Sequence, residues 1–201
     1  MWRVLNEPNN RREARAQQQE EERFGQWMLQ TFIMAAVFVG IIALLFTFVL
    51  ANDQVSGPSM QPTFESGDRI IALRHASVQR GDIVILKAPD EPNTLYIKRV
   101  IGMPGNTVES KNDVMYINGK KYNQPFLKQY ENELTNGTLY TENFSLESLS
   151  LGKRVPKDSY FVMGDHRNVS KDSRALGFIQ KDAIVGVVKL RYWPLNQWRG
   201  F

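Results

Sequence analysis

The sequence predicts a mainly β domain behind a single membrane-spanning helix, and three observations predict it. Residues 32–50 form one uncharged apolar run. After it, short runs rich in β-branched and aromatic residues alternate with Gly, Pro, Asn and Asp. Asn118-Gly119 stands between two of those runs, the strongest two-residue hairpin signal. No long amphipathic helical pattern follows residue 50.

The 201 residues suffice for one domain with a real core, or one domain plus an insertion. Hydrophobic residues make up 42% and aromatics 11%, so most of the chain should fold. The net charge of +4 is small and dispersed. It argues for a solvated surface and against a nucleic-acid partner. With no cysteine, disulfides, cysteine zinc sites and thiol catalysis are excluded, but the compartment is not indicated.

The run FIMAAVFVGIIALLFTFVL, Phe32 to Leu50, has 19 residues, and Thr47 is its clearly polar member. A helix of that length spans about the ~30 Å hydrocarbon layer, and Gly40 is tolerated inside it. With flanking residues the anchor is expected over 29–50. Arg3, Arg11, Arg12, Arg15 and Arg23 precede the run, whereas between 51 and 70 only Arg69 follows it. This asymmetry places residues 1–28 in the cytoplasm as a short, helix-prone arm, and everything after Leu50 outside. A cleavable leader ending near Val49-Leu50-Ala51 is the other reading. The apolar run is longer than such leaders usually carry, which favours a retained anchor.

In the exported part 51–201, strands are expected at 68–73, 82–87, 95–101, 114–119, 159–164 and 183–193. Met103-Pro104-Gly105-Asn106 fits a type II turn. Gly67-Asp68 and Gly81-Asp82 read as turns leading into strands. Residues 107–157 hold more Lys, Asn, Glu and Ser, and read as an insertion or small subdomain. No repeat is present.

Lys98 is out of place. Period-two alternation puts Tyr96, Lys98 and Val100 on one face of a strand, and Ile97, Arg99 and Ile101 on the other. At least one of Lys98 and Arg99 therefore meets apolar neighbours. A buried, unpaired ammonium sheds its proton, and a neutral amine is a competent general base. Alternatively Lys98 lies at a strand edge and snorkels to water. The loop GDHRNVSKDSRALG, 164–177, is either surface turn material or a hydrogen-bond framework. SGPSM, 56–60, puts Ser59 after a Gly-Pro pair, as a turn residue or as a nucleophile. The two histidines, His75 and His166, have no metal-ligand partner at helical spacing. There is no G-x-S-x-G elbow and no phosphate-binding glycine loop, so no metal or cofactor is implied. A Ser-His-Asp arrangement using His166 remains open.

Taken together, SGPSMQPTF, GDIVIL, YIKRVIGMPG and GDHRNVSKDSRALG, in that order after one anchor, resemble the type I signal peptidases, most of all the single-anchor Gram-positive kind. The resemblance implies a β-rich catalytic domain with a Ser/Lys dyad that cuts signal peptides from exported preproteins at a phospholipid membrane. Position by position, it implies Ser59 as nucleophile and Lys98 as general base. Gly57, Pro58 and Met60 form the nucleophile turn. Ser170 is implied to hydrogen-bond the lysine amine, Asp172 and Arg174 to form a supporting ion pair, and Asp165 and Arg167 to support the same loop.

Burial beside Tyr96 and Val100 should bring the amine near pKa ~7, which corresponds to about 4–5 kcal/mol of differential interaction. Small residues at the first and third positions before the cut, Ala-x-Ala, follow from the resemblance. An extended peptide adding to a sheet edge would present them. Two positions depart from the family. Gly57 stands where some relatives carry a hydroxyl that stabilises the oxyanion, and His166 stands where Asn is usual. Trp193, Trp198 and Phe201 near the C-terminus are either interfacial or core aromatics. Rivals are a different Ser/Lys protease of the self-cleaving repressor kind, against which the anchor argues, and an inactive anchored binding module.

Overall fold

The computed structural model describes residues 7–128, 130 and 138–201. Residues 1–6 of the expected arm, Arg3 among them, and residues 129 and 131–137 of the expected insertion lie outside the described residues. The chain divides into two compact units, Met1–Thr47 and Phe48–Phe201.

The first unit is helical. Helix α1 runs Glu7–Leu44 and widens into a π-turn over Leu45–Val49. The helix-prone arm is thus continuous with the apolar helix from Glu7. Within Gln18–Val49 an 18-residue stretch reaches a mean hydropathy of 2.8, and the segment is long and apolar enough to cross a membrane. Its Phe32, Phe38, Leu44 and Phe48 side chains are exposed, as expected of a surface made for lipid. Thr47 donates its hydroxyl to the Ala43 carbonyl at 2.8 Å, which removes the polar cost of placing it there.

The second unit is mostly β. A large sheet has the order β1 (Leu50–Gln54), β2 (Arg69–Leu73), β11 (Ile184–Trp193), β3 (Ile83–Lys87), β4 (Leu95–Gly102), β9 (Ser159–Met163) and β10 (Ile179–Gln180), with β12 (Arg199–Gly200) paired to β11. All six expected strands are present within a residue or two at their ends. Strand β3 is buried on both faces, with Ile83 and Ile85 in one apolar cluster and Val84 and Leu86 in another. That accounts for a continuous apolar run instead of alternation.

Between β4 and β9, which are neighbours, the chain leaves to form a second sheet. Its order is β7 (Lys120–Tyr122), β6 (Val114–Ile117), β5 (Val108–Lys111) and β8 (Phe144–Ser145). The β6–β7 hairpin closes through Asn118 at φ 51° and Gly119 at φ 72°, the left-handed pair that a two-residue type I′ turn requires. The Asn106 amide donates to Met103 O at 3.0 Å, closing the expected turn after β4. Beyond the six expected strands and the hairpin arm β7, strands β1, β5, β8, β10 and β12 were not expected, because each is too short or too polar to show alternation.

The two sheets meet in a cluster containing Ile101, Val108, Val155, Phe161 and Met163. Gly102 lies at this seam. A Cβ there would come 2.7 Å from Val108 Cγ2 and 3.0 Å from both Phe161 Cβ and Val155 Cγ2. Gly102→Ala is therefore expected to destabilise the β unit by about 1–3 kcal/mol through overpacking. Urea denaturation of the mutant against the parent measures this, and an unchanged midpoint would contradict the close seam.

Candidate active site

The turn that carries Ser59 is built from local chemistry first. Gly57 adopts φ 83°, which favours glycine, and Pro58 fixes the next φ. The Gln61 amide then donates to Pro58 O at 3.1 Å and the Phe64 amide to Met60 O at 3.0 Å. Met60 and Phe64 are fully buried and nail the turn into the core, while Ser59, just before Met60, stays half-buried and accessible. The loop is closed at its base by Val55 N–H to Asp68 O at 2.8 Å.

Lys98 comes to this turn from β4. Its neighbour across the ladder is Val84, fully buried, and Lys98 itself is only 4% exposed. The edge reading, in which Lys98 snorkels to water, is thereby overturned. Nζ lies 2.9 Å from Ser59 Oγ and 5.3 Å from the centre of the Tyr96 ring. Burial lowers its pKa from 10.5 to about 8, while the carboxylates of Asp172 and Asp165 pull it partly back up. That is less depression than expected from burial alone, and those two carboxylates are the reason. At pH 7 such an amine is neutral in roughly one molecule in ten, against roughly one in three thousand for free lysine. While charged, Nζ donates to Oγ. Once neutral, its lone pair can accept the hydroxyl proton.

Arg99, next along β4, is also buried, so both charged residues of YIKRV are inside. Its guanidinium grips Asp165 with Nε at 2.8 Å from Oδ1 and Nη2 at 2.6 Å from Oδ2. It donates further to Gly81 O at 2.8 Å and stacks on Phe126 at 3.9 Å. Asp165 Oδ2 also accepts the Thr63 hydroxyl at 2.5 Å. On the other side, Arg191 of β11 donates to Thr63 O at 3.1 Å and pairs with Asp68 at 2.9 Å. Thr63, the end of the Ser59 turn, is thus held at its side chain and its carbonyl by two buried ion pairs. Removing one member of such a pair leaves a buried charge uncompensated, at about 3–5 kcal/mol.

The remaining sequence-derived residues divide. Asp172 and Arg174 form the expected ion pair at 2.8 Å, and Asp172 also accepts the Gly164 amide at 3.0 Å. Asp165 and Arg167 both support the loop, but with other partners. Asp165 binds Arg99, while Arg167 donates to Gly164 O at 3.0 Å, to the Thr141 hydroxyl at 3.2 Å and to Gln124. Burial lowers the Arg167 pKa to about 10.

Ser170 corrects the expectation. Its Oγ is buried and has no hydrogen-bond partner among the described residues, and the lysine amine bonds to Ser59 instead. The reason is Gly164. A Cβ there would overlap Ser170 Oγ, Ser170 Cβ and Ser59 O, so the serine side chain fills the space that glycine leaves. Gly164, Arg99 and Thr63 were missed as site residues. For Arg99 the signal existed, since it is the second charge in a strand too apolar to expose either face.

Beside Ser59 and Lys98 runs a cleft of about 420 Å³, lined by residues 53–56 and 93–98 with Ile70 and Ile85 at its floor. Strand β4 pairs with β9 only from Arg99 onward, and β1 pairs with β2 alone. Backbone on both walls is therefore unpaired on its cleft side among the described residues. Phe201 packs on Phe64 at 4.9 Å as a core aromatic, whereas Trp193 and Trp198 are exposed. Among the described residues no group of three or more metal-ligating side chains converges.

The chain is similar to known proteins. Residues 25–193 match the family model described as signal peptidase, peptidase S26. The chain is 42% identical over 165 residues to signal peptidase I of Bacillus caldolyticus, covering 80% of this chain and 89% of that one. It is 38% identical over 180 residues to signal peptidase IB of Staphylococcus aureus strain Mu50, covering 86% and 93%. The crystal structure of a signal peptidase I from Enterococcus faecalis superposes with a TM-score of 0.54 at 36% identity, covering 56% of this chain and 97% of that one. With its β architecture, its apolar N-terminal helix and these relatives, the chain belongs to the signal peptidase family, peptidase S26, and is a serine endopeptidase of that family.

Proposed function

We propose that this enzyme cuts signal peptides from exported preproteins with Ser59 as nucleophile and Lys98 as general base. The observation that carries the proposal is the 2.9 Å contact between a buried lysine amine and the hydroxyl of a serine beside an open cleft. A preprotein segment lies extended in the cleft, adding its backbone to the free edges of residues 53–56 and 95–98. Alternate side chains of an extended segment face the same wall. The first and third residues before the cut therefore enter the cleft together, and its small volume favours Ala-x-Ala.

The reaction follows from the geometry. Neutral Lys98 accepts the Ser59 proton as Oγ attacks the carbonyl carbon. Negative charge builds on the carbonyl oxygen and is met by the Ser59 N–H, which has no acceptor among the described residues. Lys98 then protonates the departing amine, the peptide bond breaks, and an acyl group remains on Ser59. Lys98 next takes a proton from the water that attacks the ester and returns it to Ser59 Oγ as the ester bond breaks, which frees the serine and releases the new C-terminal acid.

We also propose that the apolar helix stays in the membrane with the arginine-rich arm in the cytoplasm and residues 51–201 outside. The catalytic unit then sits on the side where signal peptides emerge.

Ser59→Ala and Lys98→Met are each expected to abolish cleavage of a preprotein while leaving the folded β unit intact by circular dichroism. Retained activity in Lys98→Met would remove the dyad. Activity against pH should rise as Lys98 loses its proton, so kcat/KM climbs through a midpoint near 8. The group is active above its pKa because only the neutral amine accepts a proton, and an acid limb centred near 6 would point to histidine instead. For orientation, protease added to intact spheroplasts should degrade residues 51–201 and spare an N-terminal tag, and the reverse pattern refutes the assignment.

A further inference from the structure

We propose that His166 is a positioning residue that aims the Ser59 amide at the reacting oxygen. The inference rests on the reading of Ser59 as nucleophile.

His166 holds the nucleophile turn by two separate bonds. Its backbone N–H donates to Ser59 O at 3.1 Å. Its ring Nδ1 lies 3.2 Å from Pro58 O. A carbonyl oxygen only accepts, so Nδ1 carries the proton. Pro58 O also accepts the Gln61 amide at 3.1 Å. The oxygen is thus fixed by two donors, one within the turn and one from the loop at 164–177.

The consequence lies on the far side of the peptide bond. Pro58 C=O and Ser59 N–H belong to one planar trans unit, in which the two dipoles point in opposite directions. Fixing where Pro58 O points fixes where the Ser59 N–H points. That N–H is the oxyanion donor, and its direction is set by groups behind the turn, away from substrate.

The ring is itself held. It stacks on Tyr130 at 4.8 Å between centroids with 17° between planes, and lies 6.4 Å from the ring of Tyr140. Tyr140 is buried and donates its hydroxyl to Asp165 O at 2.7 Å. Val169 and Ser170 amides both donate to His166 O, at 3.1 and 2.9 Å. Gly164, with no Cβ, is what lets this loop approach Ser59 O closely enough for the contact to form.

Two variants separate the donor from the stack. His166→Phe keeps an aromatic ring against Tyr130 and Tyr140 and removes only the Nδ1 donor. His166→Asn discards the ring and restores a side-chain N–H at similar reach. The assay is steady-state cleavage of a signal-peptide-derived substrate with alanine at the first and third positions before the cut. Loss of an oxyanion donor costs about 10²–10³ in kcat, so misaiming one should cost about 10–100-fold. His166→Phe is expected to lose that much in kcat with KM within about twofold, and His166→Asn to recover most of it. The acid limb of the pH profile should stay near 8 in both, because Lys98 is not involved.

Parental kcat in His166→Phe, a loss confined to KM, a shifted acid limb, or His166→Asn as slow as His166→Phe would each overturn the proposal. If His166→Phe does not fold, His166→Ala is measured with the same outcomes. Ser59→Ala is assayed alongside. Activity there would sink the nucleophile reading itself, whereas an inactive Ser59→Ala beside a fully active His166→Phe would sink only the role of His166.

Discussion

On the proposed mechanism the site depends on keeping one amine dry. Lysine is charged in water at neutral pH, and a charged amine cannot take a proton from serine. This fold buries Lys98 between β3 and the Ser59 turn, where desolvation disfavours the ammonium. The same neighbourhood contains Asp165 and Asp172, whose negative charge favours it. Burial wins, but only to about 8. Both carboxylates are tied up in ion pairs, Asp165 with Arg99 and Asp172 with Arg174. Paired guanidinium groups offset much of the field that bare carboxylates would impose on the amine. The arginines around the site thus help to keep the lysine usable as well as holding the loops.

Those ion pairs also answer a mechanical problem. Ser59 sits on an irregular turn, and irregular backbone is mobile unless something fixes it. The turn is fixed at Thr63 by Arg99–Asp165 on one side and Arg191–Asp68 on the other. Arg99 and Lys98 are adjacent on β4, so one strand delivers both the proposed base and the clamp on the turn that carries Ser59. A shift of β4 would move both together, preserving the 2.9 Å contact against small displacements of the sheet.

Much of this was legible in the sequence, for identifiable reasons. The apolar helix and the six expected strands have strong periodicity or strong breakers at their ends. Lys98 stood out because a cation in YIKRV violates its surroundings, although periodicity alone left burial and snorkelling open. Ser59, Asp172 and Arg174 came from motif resemblance. What stayed hidden was pairing at long range. That Arg99 would take Asp165, and Arg191 take Asp68 and Thr63 O, depends on which strands become neighbours. Local pattern carries no information on that. The Ser170 bond to the amine was inferred from relatives and is absent here, since a side-chain rotamer packed against Gly164 is not encoded in a motif. The short strands β8, β10 and β12 are held by partners and not by propensity, so no window of sequence announces them.

The two departures from the family pattern belong together. Gly57 brings no hydroxyl to the oxyanion, so on the proposed mechanism stabilisation falls more heavily on the Ser59 amide. A single donor must then be well aimed, because a preorganised dipole stabilises charge only in the direction it points. His166 occupies the place from which that aim is set. An asparagine would supply a donor from a flexible side chain. The imidazole supplies it from a rigid ring stacked on Tyr130, whose neighbour Tyr140 is in turn bonded to the backbone of Asp165. The order of that chain is physical. An ion pair fixes Asp165, its carbonyl fixes Tyr140, the aromatic stack fixes His166, and His166 fixes the peptide that faces the substrate. Each link restricts the next at little entropic cost, because the groups involved are planar and have few torsions to lose.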